Sequence, residues 1–301
     1  MKIGIIGAGA MGSLFSSFFF KADMNHAIFE IDKNIVKTIK EGLTLIQDNT
    51  IEKFYPIIDS NPSILSDADI IFVFVKSYST EDAIKTIEPH IKKDSVIVSI
   101  QNGIGNFESI KKFIKLEQII YGVTTYGAAK ENPSTVRFGG AGTIEFGGKS
   151  EEAVKKLGSI FNLAKLDFSI TKTPEKSVWQ KALVNAGINP IASILNITNG
   201  EIINNEFSKK LQENILREGV AAARVAGINI MEDEIITTTV NVCNNTSTNK
   251  CSMLQDIKAK RRTEIDFING KIIEYAAKGN IKVPFNESLY YLIKAIENKN
   301  L

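Results

Sequence analysis

The sequence predicts an α/β chain: a Rossmann-type doubly wound sheet followed by an all-helical C-terminal domain. Three observations carry that expectation. Apolar runs of strand length alternate with helix-period segments through the first half. A glycine cluster, Gly7-Ala8-Gly9-Ala10-Met11-Gly12, lies between the first such run and the first helix. After Pro174 nearly every segment has helical period, separated by Gly, Asn or Pro signals. The 301 residues correspond to about two domains of ~150 residues. The change of rhythm divides them into 1–172, a dinucleotide-binding domain, and 173–301, a helical substrate domain.

The first half opens with an apolar strand at Ile3–Ile6, then a helix over 10–20, a strand over 27–31 and a helix over 34–41. Residues 70–75, IIFVFV, are apolar on both faces, which suits a central parallel strand covered by helices on both sides. A helix over 80–91, a strand over 95–100, a helix over 106–114 and a strand over 118–124 follow. The short glycine-flanked segments 134–138 and 143–146 predict a hairpin at the sheet's edge, before a helix over 151–164 and a last strand over 166–170. In the second half helices are expected near 174–187, 190–196, 206–226, 232–245, 252–258, 264–278 and 286–299. Gly187 and Pro190 are expected to bend or end the first of these. The Asn- and Thr-rich stretch 241–250 predicts a loop or frayed helix end.

Composition excludes several classes of function. Lys plus Arg is 36 and Asp plus Glu is 34, a net charge of +2, which leaves no electrostatic footprint for nucleic acid or an anionic membrane. In that balance the run Lys258, Lys260, Arg261, Arg262 predicts a solvated helix face. Cys243, Cys251, His26 and His90 are scattered, too few for a disulfide framework, a metal cluster or a histidine-based triad. Such cysteine usage suits a reducing cytoplasm. Met1-Lys2-Ile3-Gly4 has no leader character. The apolar stretch 14–20 is broken by Ser16 and Ser17 and is far shorter than the ~20 residues of a membrane helix. The expectation is a cytoplasmic protein with no metal, no nucleic acid and no membrane partner, as a monomer or homodimer.

The glycine cluster is G-x-G-x-x-G between a strand and a helix, the context in which it binds a dinucleotide pyrophosphate. The helix start supplies unpaired N–H groups and a partial positive charge. Asp32, 20 positions after Gly12, stands where an acid commonly takes the ribose hydroxyls of NAD, while the neighbouring Lys33 could pair with a 2′-phosphate. Both also suit an ordinary solvated helix start. Lys76 ends the central strand, and Asn102-Gly103 follows the next one, both at carboxyl ends where ligands sit in open α/β sheets. A solvated lysine and an Asn-Gly turn are the ordinary alternatives.

The second half contains no histidine. A proton for an alcohol or carbonyl must come from another group. Lys181 and Asn185 are spaced i, i+4 on an otherwise apolar helix, with Asn189 four further on. They serve either a polar substrate or a hydrogen-bond network at the domain boundary. Ser252-Met253-Leu254-Gln255 fits an S-x-x-Q capping box with Ser252 as N-cap, and such a helix start also attracts carboxylates. Glu264, in Arg262-Thr263-Glu264, reads as an acid in a helix's first turn.

These segments together resemble the ketopantoate reductase family. The resemblance covers nearly the whole chain and rests on GAGAMG at 7–12, VK at 75–76, QNGIG at 101–105, WQKALVNAGINP at 179–190, NGE at 199–201, CSMLQDIKAKRRTEIDFING at 251–270 and VP at 283–284. It implies hydride transfer from NAD(P)H to the keto carbon of 2-dehydropantoate, giving D-pantoate for pantothenate and coenzyme A synthesis. By motif match Lys181 takes the place of the family's catalytic lysine, and Glu264 that of the glutamate interacting with it. Asn185, Asn189, Asn199 and Asn249 match substrate-binding positions, Ser252 the serine that meets the carboxylate, and Lys76 and Asn102 residues lining the nicotinamide site. NADPH is usual in the family, whereas Asp32 leans towards NADH. That departure raises the alternative of an NAD-dependent D-2-hydroxyacid dehydrogenase acting on branched or aromatic 2-keto acids. A nicotinamide-sensing binding protein is a third class, disfavoured by the joint presence of Lys181 and Glu264.

Overall fold

A computed structural model describes residues 1–300. They form two compact units: Met1–Gln101 with Asn106–Pro174, and the described residues from Glu175 onward with the four-residue piece Asn102–Gly105. The first unit runs β1 (Ile3–Ile6), α1 (Ala10–Lys21), β2 (His26–Phe29), α2 (Lys33–Lys40), β3 (Leu43–Gln47), β4 (Thr50–Phe54), β5 (Ile57–Asp59), β6 (Ile70–Val73), α3 (Thr80–Ile87), β7 (Val96–Ser99), α4 (Asn106–Ile110), β8 (Ile119–Thr124), β9 (Gly127–Asn132), β10 (Thr135–Gly140), β11 (Ile144–Gly148), α5 (Glu151–Leu163) and β12 (Phe168–Ile170).

Eight of these strands form one sheet in the order β12-β11-β8-β7-β6-β1-β2-β5. It is parallel from β8 through β5, and β11 joins antiparallel to β8. Strands β1, β2, β6 and β7 are buried at every residue, as an all-parallel arrangement covered on both faces requires. Phe15 and Phe19 of α1 seat against Phe72 of β6, with ring centroids 6.1 and 5.3 Å apart, within the range at which aromatic pairs attract. The carboxyl ends of β1, β2 and β6 all open beside the start of α1, so the topology gathers the glycine cluster and the ends of its neighbours at one edge.

The expected edge hairpin does not form. Of its two strands, β11 enters the main sheet, while β10 belongs to a second, four-stranded sheet in the order β4-β3-β10-β9. In that sheet β10 runs antiparallel to β9 and parallel to β3. The apolar side chains of β3 and β10, such as Leu45 and Val136, are buried in the same core as α1. The β3–β4 hairpin, whose β4 strand is exposed up to the buried Phe54, was absent from the sequence expectation.

The second unit is α6 (Pro174–Leu195), α7 (Asn199–Asn204), α8 (Glu206–Val225), α9 (Glu232–Asn245), α10 (Ser252–Lys258), a 3₁₀ turn at Ile265–Phe267, α11 (Asn269–Lys278) and α12 (Pro284–Asn300). Its core is aliphatic, built from Leu183, Leu216, Val220, Ile272 and Ile293 among others. Helix α6 corrects the expected break: it passes through Gly187 and Pro190 without ending. Pro190 removes the N–H that the Ala186 carbonyl would accept. The surrounding helices hold the segment nonetheless, with Ala186, Ile188, Ile191 and Ala192 all buried. Gln212 of α8 donates to the Gly187 carbonyl at 3.2 Å. Tertiary burial here outweighs the local cost. The uninterrupted helix keeps Lys181, Asn185 and Asn189 on one face, each a single turn from the next.

Candidate functional site

In the first unit the glycine cluster forms the turn from β1 into α1. Gly7 takes φ +93°, a conformation that favours glycine, and its N–H is bonded to the Phe29 carbonyl at 2.9 Å. A Cβ on Gly12 would meet the Gly7 carbonyl oxygen at 1.9 Å, so the helix approaches the turn as closely as backbone permits. A Cβ on Gly9 would find nothing nearer than 3.9 Å. That face of the turn is open. Helix α1 starts at Ala10 with no side-chain cap and no acid in its first turn, leaving its leading N–H groups for an anion. Met11 lies half-buried in that first turn. The turn thus fits a dinucleotide pyrophosphate on its own geometry.

The acid beside this turn is Glu30 and not Asp32. Glu30 directly follows β2, and its Oε2 accepts from the Ala8 N–H at 2.8 Å while Oε1 accepts from the Asp32 N–H at 3.0 Å. Asp32 is the exposed N-cap of α2, its Oδ1 accepting from Asn34 N at 2.8 Å and Ile35 N at 3.4 Å. Lys33 is the exposed first residue of that helix. Asp32 and Lys33 thus open α2, and the strand ends two residues earlier than expected. Three apolar residues after a histidine, followed at once by an acid, HAIFE, were the signal that could have located Glu30. A second residue absent from the expectation, Lys130 of β9, reaches the same turn, bonded to the Ala8 carbonyl and to Ser13 Oγ.

Lys76 lies half-buried beyond the end of β6, immediately before a 3₁₀ turn at Ser77–Ser79. Close by, Gln101 Nε2 donates to the Val75 carbonyl at 2.7 Å and to Thr80 Oγ1 at 2.9 Å, tying the ends of β6 and β7 together. Asn102 belongs with the helical unit. The turn it begins is fastened there by Ile104 N–H donating to the Phe267 carbonyl at 2.8 Å.

In the helical unit, α6 carries Lys181 and the segment before α11 carries Glu264. Burial pulls the Lys181 ammonium down to about 8, and the Glu264 carboxylate opposes that shift. Glu264 is 8% exposed. It precedes the 3₁₀ turn and α11 starts only at Asn269, so the expected helix over 264–278 is interrupted. The backbone at Glu264 is fixed from α12. Glu297 Oε1 accepts from Thr263 N at 2.7 Å and Thr263 Oγ1 at 2.6 Å, and Glu297 Oε2 meets Lys294 at 2.9 Å. Replacing Glu297 by Gln puts an amide N–H against the Lys294 ammonium or against the Thr263 donors. We expect Glu297→Gln to cost about 1–3 kcal/mol in urea unfolding, the range for losing a buried hydrogen bond to a charged group. It should also lower kcat through Glu264, and unchanged stability and kcat together would remove Glu297 from this role.

Asn185 is half-buried and Asn189 is 5% exposed, both on the Lys181 face of α6. Asn199 opens α7 and is 7% exposed. Its Nδ2 donates to Thr246 Oγ1 at 2.9 Å and its N–H to the Asn249 carbonyl at 3.0 Å. Its Oδ1 is buried and has no partner. Asn249 is exposed in the connection from α9 to α10. Ser252 is not the N-cap of α10: Cys251 is, its Sγ accepting from Leu254 N at 3.4 Å. Gln255 reaches back two residues further than the capping box would, its Nε2 donating to the Lys250 carbonyl at 2.9 Å. Ser252 is left as an exposed hydroxyl in the first turn. Among the described residues there is no group of three or more His, Cys, Asp or Glu that could hold a metal ion, and no helix long and apolar enough to cross a membrane.

Residues 3–151 match the family model "Ketopantoate reductase PanE/ApbA" and residues 175–297 its C-terminal counterpart. A 2-dehydropantoate 2-reductase of Pyrococcus horikoshii is 37% identical, over 99% of this chain and 98% of its own. One from Pyrococcus abyssi is 34% identical with the same coverage. Among solved structures, D-mandelate dehydrogenase in a ternary complex with NADH and anilino(oxo)acetate superposes with a TM-score of 0.95 at 29% identity, covering 100% of this chain and 99% of that one.

Proposed function

Because the chain belongs to the ketopantoate reductase family and is an oxidoreductase, we propose that it reduces 2-dehydropantoate at the keto carbon to D-pantoate, a step in pantothenate and coenzyme A biosynthesis. The observation that carries the reading is Lys181 in a desolvated setting beside Glu264. A group poised near 8 is still protonated at neutral pH and releases its proton readily, as an acid for reduction requires.

A bound reduced nicotinamide supplies the hydride that the keto carbon takes. The chain does the rest. Lys181 donates a hydrogen bond to the keto oxygen and passes its proton to the alkoxide as negative charge develops there. The resulting amine is recharged from solvent. Glu264 keeps the lysine charged and orients it. Asn185, Asn189, Asn199 and Asn249 bind the substrate's oxygens, and Ser252 its carboxylate. The unpartnered Asn199 Oδ1 supports a hydroxylated substrate, since a buried acceptor is stabilised by an O–H donor. On the cofactor side the turn 7–12 takes the pyrophosphate, Lys76 and Asn102 line the nicotinamide, and Glu30 takes the ribose diol in the role expected of Asp32. A carboxylate there repels a 2′-phosphate, so the cofactor is NADH.

A second reading is an NADH-dependent D-2-hydroxyacid dehydrogenase for branched or aromatic 2-keto acids. Glu30 and the likeness to D-mandelate dehydrogenase favour it. The test is kcat/KM for 2-dehydropantoate, 2-ketoisocaproate and phenylglyoxylate, each with NADH and NADPH. The first reading expects 2-dehydropantoate to be preferred by about tenfold or more, roughly 1.4 kcal/mol of transition-state binding. The reverse preference would hand the chain to the second reading.

A further inference from the structure

Lys130 is held far from its place in sequence, 122 residues from the alanine it binds. Its ammonium donates to the Ala8 carbonyl and, at 2.9 Å, to Ser13 Oγ. Ser13 donates to the same carbonyl at 3.0 Å, and the Ala8 N–H is taken by Glu30 at 2.8 Å. Both polar groups of Ala8 are therefore fixed in direction. The turn that carries the open Gly9 face is braced on each side by a charged group.

The placement of that ammonium is electrostatically unfavourable without a ligand. Ser13 lies in the first turn of α1, where the helix presents its partial positive charge, and that turn holds no acid. Burial lowers the Lys130 ammonium to about 8, with Glu30 opposing. Other charges on the elements around it are engaged elsewhere: Arg137 pairs with Glu131 at 2.6 Å, and Lys21, at the far end of α1, with Glu52 at 2.9 Å. A desolvated cation at the positive end of a helix costs stability, and an arriving dianion reverses that cost. Fixing the Ala8 peptide also keeps the turn from rotating its N–H groups away from the anion.

We propose that Lys130 is a positioning residue for the cofactor's pyrophosphate, bracing the Ala8 turn and adding positive charge to the N-terminus of α1. The proposal rests on the dinucleotide part of the function above and not on the choice of substrate. Glu30 and Lys130 then divide the work: the carboxylate faces the ribose side, and the ammonium reinforces the phosphate side.

The test is calorimetric binding of ADP-ribose and of adenosine to the full chain and to Lys130→Met, Lys130→Gln and Lys130→Arg. ADP-ribose carries the pyrophosphate and adenosine does not. We expect Lys130→Met to weaken ADP-ribose by about tenfold or more while adenosine stays within about twofold. Lys130→Arg should recover most of the loss, because it keeps the charge. Lys130→Gln keeps a donor for the Ala8 carbonyl without the charge, so it reports the charge separately and stands in if the Met variant does not fold. ADP-ribose binding within about twofold of the parent in the uncharged variants would overturn the proposal, as would an equal loss for both ligands. If no 2-keto acid is reduced but ADP-ribose binding depends on Lys130, the substrate reading falls and this one stands. If 2-dehydropantoate is reduced and the uncharged variants bind ADP-ribose normally, the reverse holds.

Discussion

Lys181→Ala is expected to lower kcat for keto-acid reduction by roughly 10²- to 10⁴-fold, the range for removing a positioned proton donor. KM should change much less, because the interaction strengthens as charge develops on the keto oxygen. Lys181 sits on a long helix packed on an aliphatic core, and Ala is the best helix former, so the fold should survive the change. A variant that kept near-normal turnover would assign the proton to another group.

The pH profile sharpens this expectation. With the ammonium lowered to about 8, reduction should be level below that pH and fall above it, by about tenfold per unit once the amine is neutral. Oxidation of the 2-hydroxy acid needs the neutral amine and should rise through the same pH. Glu264 opposes the lowering, so Glu264→Gln should move the limb to lower pH. A limb that stayed near 8 in Lys181→Ala or in Glu264→Gln would belong to a different group.

What the sequence made legible was local. The G-x-G-x-x-G cluster is contiguous, and its turn and helix follow from six adjacent residues. The i, i+4 spacing of Lys181, Asn185 and Asn189 needed only a helix to acquire meaning. Features that depend on distant partners were not legible. The β3–β4 hairpin owes its place to β10, about 90 residues later, because an isolated two-stranded ribbon is marginal in water. Pro190 reads as a stop until the packing of α6 is known. Cys251 displaces Ser252 as a cap because its Sγ lies buried, donating to the Asn189 carbonyl at 3.6 Å, a contact invisible in the S-x-x-Q pattern. The Thr263–Glu297 bonds that fix Glu264 span 34 residues. Glu30 was missed for a smaller reason: a strand boundary displaced by two residues moves the acid to a different side chain.

That displacement leads to the other large expected effect. Glu30 is anchored by two backbone N–H groups, Ala8 and Asp32, and is not free to swing away from an incoming phosphate. A 2′-phosphate a few ångströms from a fixed carboxylate is opposed by roughly 1.4–2.7 kcal/mol at the effective dielectric of a protein surface, about 10- to 100-fold in affinity. A ribose diol instead gains hydrogen bonds to a charged acceptor, each worth about 1.5–3 kcal/mol. The parent protein should therefore bind NADH more tightly than NADPH by at least about tenfold. Glu30→Gln removes the charge while its amide oxygen still accepts from Ala8. NADH should weaken and NADPH strengthen, so that the ratio of the two dissociation constants falls by about tenfold or more. Asp32→Asn, two positions along the chain, should leave that ratio within about twofold, since Asp32 is engaged in capping α2. Fluorescence titration of both reduced cofactors against the two variants decides the matter. If the ratio moved with Asp32 and not with Glu30, selectivity would lie in the helix cap; if it moved with neither, it would lie outside this turn.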